Sequence, residues 1–558
     1  LGNVASGFIA FNDTFLRRQP YLAGYFQDDW KITSKLTLNL GLRYDVQYPL
    51  LEIQNRLNRG FDYTGVQPNS GQIVGRWNEL SAQNPGVLPN TPDAIRGGLV
   101  FAGVRGQPRR VYNWDFTNIQ PRFGLAWNFM PKTVLRAGVG IFHRTDTRGN
   151  VATGFSLNTD YINSLNAGQT PSSGTGTGPY SLVNPFPDGV VRPFGADLGL
   201  ATGFGGSVSF DNPNRPIPRT RQWSFTLERQ LGSGTVLEVS YVGSRTTQEG
   251  RGIQQGDMRQ ADWDRAQSEP GFFQQAIPNP FFGLARPGTT FAAQANISRR
   301  DLLRNYPGFT GVFDNVSTFG RVWYHGLQVR FERRMLGDRS KVGAFTVVTA
   351  YTWSKMMENA LRNDYASGWQ KPINQVTGED RTHNFTTAVI WDVPIGRGRA
   401  IGGNMGRMAQ VALGNWTANA TVVYQSGVPL AAWRSWEYRC GDPRAGITPN
   451  EKGWFANDRS RFSECWRNLR PFEYAQLPAR FSQIRSHTMP QLDILISKRF
   501  QITERMNLEF RGESFNATNT ALRGDPNSTN PQGADFGVLP VAQLNFPRNI
   551  QLGLRLRF

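Results

Sequence analysis

The sequence predicts an all-β fold, an antiparallel β-barrel that crosses a membrane. Three observations lead there. Apolar and polar residues alternate with period two in many short segments. Short and long connections alternate between those segments. No stretch approaches the roughly 18–20 apolar residues that a membrane helix needs. The mean hydropathy of −0.44 is compatible with a barrel, because each strand is apolar on one face only.

The period-two pattern marks strands with one apolar face. In 34–48, Leu36, Leu38, Leu40, Leu42, Tyr44 and Val46 alternate with Thr37, Asn39, Gly41, Arg43 and Asp45. In 119–129, Phe123, Leu125, Trp127 and Phe129 share a face. In 132–144 the face is Leu135, Ala137, Val139 and Ile141. Trp223, Phe225 and Leu227 mark 220–231, and Leu237, Val239 and Tyr241 mark 235–243. Leu327, Val329 and Phe331 mark 323–335. Further strands are expected at 21–31, 342–355, 383–393, 410–425, 490–501 and 505–515. The last one places Ile550, Leu552, Leu554, Leu556 and Phe558 on one face, against Gln551, Gly553, Arg555 and Arg557. That makes about thirteen strands, and residues 1–12 could supply part of another.

The connections decide the architecture. Short ones follow 21–31, 119–129 (Met130-Pro131), 220–231 (Gly232-Ser233-Gly234), 323–335 (Leu336 to Arg339) and 490–501 (Ile502-Thr503-Glu504). Pro394 to Arg407 is moderate. The segments 49–118, 145–219, 244–320, 356–382, 426–489 and 516–547 are long and are expected to lack regular structure. A soluble sandwich has no reason to put every long loop at one end. An outer-membrane barrel does, with short periplasmic turns and long extracellular loops. Aromatics near strand ends, Trp30, Tyr44, Trp127, Phe129, Trp353, Trp391, Trp416 and Tyr424, fit interfacial girdles. Lipid offers no partner to free backbone groups, so the wall must close.

The 558 residues include 61 Lys and Arg against 42 Asp and Glu, a formal charge of +19. No basic run or nucleic-acid motif accompanies it, so no nucleic-acid partner is expected. The arginines fit loops and a wet lumen. Two cysteines, Cys440 and Cys465, lie in one irregular stretch. They are either a loop disulfide, favoured by an oxidising compartment, or two buried thiols. The chain starts at Leu1 with no basic and apolar leader, so a fragment of a longer protein is expected.

Several motifs together resemble TonB-dependent receptors. Tyr25-Phe26-Gln27-Asp28-Asp29-Trp30, followed by Leu36 through Tyr44, is similar to their mid-barrel hairpin. Tyr351-Thr352-Trp353-Ser354-Lys355, Tyr424-Gln425-Ser426-Gly427 and Phe515-Asn516-Ala517-Thr518-Asn519 resemble strand ends of the Oar-like group. Leu554-Arg555-Leu556-Arg557-Phe558 is similar to the C-terminal signal read by the barrel-insertion machinery. The resemblance implies a barrel of about 22 strands, of which this chain would hold about 13–14, all of 1–558 being barrel. It also implies an N-terminal plug and a TonB box that these residues lack. The partners implied are outer-membrane lipid and lipopolysaccharide, the plug, TonB and the insertion machinery. The function implied is uptake or export of a large substrate across the bacterial outer membrane, with no catalytic residues and no cofactor.

Candidate sites follow from the faces. Arg43, Arg136, Glu238, Arg330, Glu332, Asp392, Asp493, Glu509, Arg511, Glu513, Arg555 and Arg557 should point into the lumen, to meet a plug or to pair across strands. The 426–489 loop gathers Trp433, Trp436, Tyr438, Trp454, Phe455 and Trp466 with many arginines. Such a set is typical of binding hot spots, and also of a loop that folds on itself. His143, His325, His383 and His487 are scattered without metal-ligand spacing. Asp28 and Asp29 point to opposite faces and are expected at the wet periplasmic rim. Gly174-Thr175-Gly176-Thr177-Gly178 reads as a loop tip. A passive porin or structural outer-membrane protein, and a soluble β-rich surface binding protein, are the competing functions.

Overall fold

A computed structural model describes residues 7–145, 152–160, 186, 189–286, 289–335, 343–360, 366–430, 436–444, 448, 450, 452–455, 462–470, 473, 475–527 and 530–558. The sequence calls on Trp433, on 1–6, on Leu336 to Arg339 and on the 174–178 glycines lie outside them.

Thirteen strands form one continuous antiparallel path in sequence order. They are β1 (Tyr21–Thr33), β2 (Leu36–Gln47), β3 (Ile119–Met130), β4 (Thr133–His143), β5 (Arg219–Gly232), β6 (Thr235–Gln254) and β7 (Gly311–Met335). The path continues through β8 (Ala344–Ala360), β9 (His383–Asp392), β10 (Trp416–Gln425), β11 (Met489–Gln501), β12 (Asn507–Phe515) and β13 (Asn549–Arg557). The registers keep the apolar face continuous. Leu38 stands opposite Trp30 and Leu125, and Leu227 opposite Leu135 and Val239. A one-residue slip anywhere would turn a strand's apolar set into the lumen, which fixes the register.

The short turns obey their local chemistry. Lys132 carries φ 59° in the β3–β4 turn, and Gly234 carries φ 67° in the β5–β6 turn. A Cβ on Gly234 would collide with the Arg334 carbonyl of β7, so glycine suits that site twice over.

A strand of about 9–11 residues crosses the hydrocarbon layer. β9, β10, β12 and β13, of 9 or 10 residues, do little more. β6 has 20 residues, β7 25 and β8 17, so their outer ends rise past the lipid. Ser207–Phe210 joins the extension of β7 in parallel, and Ile373–Val376 joins β8 antiparallel.

Three expectations are corrected. The strand expected over 410–425 begins at Trp416, because Arg407–Leu413 is a helix. Its Met408, Val411 and Ala412 follow helical spacing, and Asn415 at φ 58° breaks the chain before the strand. Phe8–Asn12 is no fourteenth wall strand; it pairs with Ser156–Asp160 in a separate sheet. The outer connections are not structureless. The 49–118 segment holds the helix Ser70–Gln83 and a ladder between Asn58–Val66 and Arg96–Phe101. The two adjacent aspartates point to opposite faces, as expected: Asp28 shares the outer face with Phe26 and Trp30, opposite Leu40, while Asp29 meets Asn39 on the inner face.

Candidate functional site: the inner wall and the outer cap

The inner face is a ladder of paired charges, built by strand alternation. Arg43 donates to Asp45 at 2.8 Å and to the Tyr21 hydroxyl at 2.9 Å. Gln120 of β3 donates to the other Asp45 oxygen. Glu228, Glu238 and Arg330 stand in line on β5, β6 and β7. The like-charged pair is relieved by Arg136, 3.2 Å from Glu228, and by Arg330 beyond Glu238. Glu332 accepts from Arg330 at 3.1 Å and from Arg334 at 2.9 Å. Thr417 donates to Asp392 at 2.8 Å. Asp493 takes Gln491 and the Asn516 amide at 2.9 and 2.8 Å. Glu509 is buried beneath Arg557 at 2.9 Å and Arg511 at 3.7 Å. Arg511 also lies 3.9 Å from Glu513, and Arg555 stands opposite Glu509. The charges expected to face inward thus share one side of the sheet; Arg136–Glu228 and Arg557–Glu509 pair across strands, and Arg43–Asp45, Arg330–Glu332 and Arg511 with Glu509 and Glu513 pair along one strand.

Small residues open a groove in this wall. Gly138, Gly140, Ser224 and Ser244 leave a concavity of about 530 Å³ over β3–β7, with Arg122, Phe142, Gln222 and Tyr324 around it. The Arg122 guanidinium lies 4.8 Å from the Phe142 ring centre. The sequence signal was present in the alternating glycines of 136–140, but which wall segment they open depends on strand order.

Above the wall, three long connections fold together. Phe61, Trp77, Ile95 and Leu99 of the first, Phe204 and Phe210 of the second, and Phe281, Phe291 and Phe309 of the third form one buried core. Trp77 and Phe281 meet edge to face at 6.1 Å, and Phe61 stacks on Phe210 at 5.8 Å. Polar clamps tie the same segments. Arg215 lies 3.5 Å from the Tyr112 ring centre and 3.2 Å from Asp211, which accepts from the Tyr112 hydroxyl at 2.9 Å. Burial, then the Asp314 carboxylate and Tyr306, raise the Tyr63 phenol well above its ordinary value. Sequence reading missed this unit because its core is assembled from segments far apart in the chain.

A second outer unit joins 426–488 to 516–548. Leu430, Trp436, Tyr438, Phe455, Trp466, Ile484 and Phe536 are its core. Cys440 and Cys465 are bonded, with Cα atoms 5.1 Å apart. The rings offered as ligand contacts are largely spent on folding the loop: Trp436, Tyr438 and Trp466 are buried. Trp454 is half-buried and donates to the Arg485 carbonyl at 2.6 Å. Glu437 is buried, with Arg467 at 3.2 Å and Arg439 at 3.5 Å. Burial pushes the Glu473 carboxyl up, but Arg467 and the Arg470 amide outweigh it and hold the carboxyl below its ordinary range. Arg485 reaches Asp380 at 2.5 Å and the Gly427 carbonyl at 2.9 Å, joining this unit to the β8–β9 connection. The histidines lie apart. His325 and His383 sit on the outer face, each bonded to a tyrosine hydroxyl, from Tyr241 at 2.6 Å and Tyr351 at 2.8 Å.

The geometry is therefore a charged inner wall under a folded outer cap, with an apolar outer belt. The model for the outer membrane β-barrel domain family matches residues 1–551. No curated protein matches the chain. Among solved structures, the outer membrane transporter YddB from Escherichia coli aligns with 97% of this chain and 54% of its own, at 8% identity and a TM-score of 0.40. The pyoverdine outer membrane receptor FpvA from Pseudomonas aeruginosa aligns with 98% and 43%, at 8% identity and a TM-score of 0.38. The FrpB iron transporter from Neisseria meningitidis aligns with 97% and 55%, at 10% identity and a TM-score of 0.34. This chain thus spans about half the length of each of these three, from 43% to 55%. With an antiparallel wall of this order and a family match over nearly its whole length, the chain belongs to the outer membrane β-barrel domain family.

Proposed function

We propose that this chain is the greater part of the wall, with the outer cap, of a TonB-dependent transporter of the Oar-like group. It would work with further strands and a plug supplied by a longer polypeptide. The observation that carries the reading is the seam. An antiparallel path of thirteen strands leaves β1 and β13 running the same way, and among the described residues each is paired on one side only. Two parallel edges cannot close as an antiparallel pair, and lipid cannot satisfy their free backbone groups. Added strands would close the wall, and a lumen of that size holds a plug. The paired charges and the groove on the inner face suit such a polar occupant. The motifs from Tyr25 to Trp30 and from Tyr351 to Lys355 support the Oar-like assignment.

The test is binding to the periplasmic domain of TonB. The product of the whole reading frame is expected to bind it in a pull-down from lipid nanodiscs, and residues 1–558 alone are expected not to. A stable, uniform ion conductance from 1–558 alone in planar bilayers, with no TonB binding by the longer product, would favour a passive porin instead.

A further inference from the structure

Lys498 breaks the pattern of its strand. It lies on the outer face of β11 between Ile496 and Phe500, where alternation calls for an apolar residue, yet it is only 3% exposed. Its ammonium is 2.6 Å from the Val411 carbonyl oxygen and 3.2 Å from that of Gln410. It also lies 5.3 Å from the Trp416 ring centre and 5.2 Å from that of Phe500. The Trp416 Nε1–H donates to the Ala412 carbonyl at 3.0 Å. These three carbonyls lie in the last turn of the helix Arg407–Leu413, where intrahelical partners run out; the Gln410 oxygen also accepts the Gly414 N–H at 3.1 Å. A cation is also favoured at that end by the helix dipole. The carboxyl end of the helix is thus fastened to the outside of the wall, at the foot of β10 and beside β11.

The rest of the helix looks away from the wall. Met408 is 88% exposed, Val411 59% and Leu413 58%, and Ile401 of the preceding turn is 52% exposed. Arg397 and Arg407 are exposed beside them. The 393–415 connection follows a descending strand, so it lies at the periplasmic end. Its apolar patch continues the lipid-facing belt through Trp416 and the exposed Trp391. An apolar patch next to an established lipid surface, with arginines at its margin, has the chemistry of an interfacial segment.

We propose that the 393–415 connection is a membrane wedge whose occupant is phospholipid of the inner leaflet of the outer membrane. Met408, Val411 and Leu413 enter the acyl region. Arg397 and Arg407 lie at the level of the phosphates, their stems along the apolar surface. Lys498 holds the wedge in place: its charge is satisfied by helix carbonyls, so a lysine can stand on the lipid-facing side. The segment fixes the depth of the wall on the β9–β11 side.

The two native cysteines are bonded to each other, so one added thiol labels uniquely. Met408→Cys in the full chain is labelled with bimane and reconstituted into vesicles of phosphatidylethanolamine and phosphatidylglycerol at about 3:1. Brominated phosphatidylglycerol is expected to quench it several-fold more than a label at Glu504→Cys in the exposed β11–β12 turn, with iodide giving the reverse order. Adding Lys498→Gln should lower the bromolipid quenching at position 408 and raise label mobility. Iodide quenching equal at 408 and 504, with no bromolipid effect, would overturn the proposal by placing the helix in water. Energy transfer between labelled copies that fades on dilution with lipid would overturn it in favour of a second copy as occupant.

Discussion

The Asp115 carboxylate accepts the backbone N–H of Ile217 at 2.9 Å, across 102 residues of sequence. Its other oxygen takes the Thr117 amide at 2.9 Å and hydroxyl at 2.6 Å. One carboxylate therefore joins the ends of two outer connections just above β3 and β5. Burial alone would raise its pKa. The Thr117 hydroxyl and the Ile217 and Thr117 amides outweigh it and hold the group below its ordinary value. A depressed carboxylate contributes stability above its unfolded pKa and loses it as pH falls through the folded one. Protection of the Ile217 amide, measured against its intrinsic exchange rate at each pH, should hold at neutral pH and fall as pH drops below the ordinary carboxylate value of about 4. Asp115→Asn should remove that pH step.

The cap should behave as a packed core. Trp77 is buried against Phe281, with its Nε1–H donating to the Pro89 carbonyl at 3.1 Å. Trp77→Ala should destabilise the cap by about 3–5 kcal/mol. Limited proteolysis should then cut within 49–118 and 255–310 while the strands stay protected. Unchanged protease resistance would mean that the outer connections do not fold as a unit.

The Cys440–Cys465 bond closes a loop with a sequence separation of 25. Chain-entropy reasoning gives such a bond about 3–4 kcal/mol. Reduction should speed amide exchange in Trp436–Tyr438 and Trp466–Asn468, which pair with each other. β9 and β10 should not change.

The seam makes a separate prediction. In lipid nanodiscs, about half the β1 amides should exchange fast, because β2 satisfies one side only. β9, paired on both sides, should be protected throughout. Full protection of Tyr21–Thr33 in 1–558 alone would mean that β1 has a mate within this chain.

The wall was legible because alternation is a local property. Leu36 through Val46 announce their face without help from any other segment, and a barrel imposes the same rule on every strand. Turns were legible for the same reason, as at Pro131 and Gly234. The cap was hidden because Trp77, Phe210 and Phe281 become one core only after the wall has set their loops side by side. Residues 410–413, the end of the helix Arg407–Leu413, were read as the start of a strand because a short apolar run fits either period. Alternation put the charges expected in the lumen on one face of the sheet, as the registers have them, but their pairing was not readable. That Glu509 holds Arg557 while Arg555 stands opposite it depends on register. The loop aromatics Trp436, Tyr438 and Trp466 illustrate the converse: composition marked them as notable, and packing explains why they are there.

The central claim is that these strands cross the outer membrane with one face in lipid and the other in a wet lumen. A nitroxide scan of Leu36 to Gln47 in phospholipid vesicles tests it most directly. β2 is paired on both sides, so its labels report facing rather than fraying. Labels at Leu38, Leu40, Leu42 and Tyr44 should be accessible to oxygen and shielded from a water-soluble nickel chelate. Labels at Thr37, Asn39, Gly41 and Arg43 should show the opposite, giving a period of two along the strand. Equal accessibility to the nickel chelate at adjacent positions throughout the strand would contradict the account.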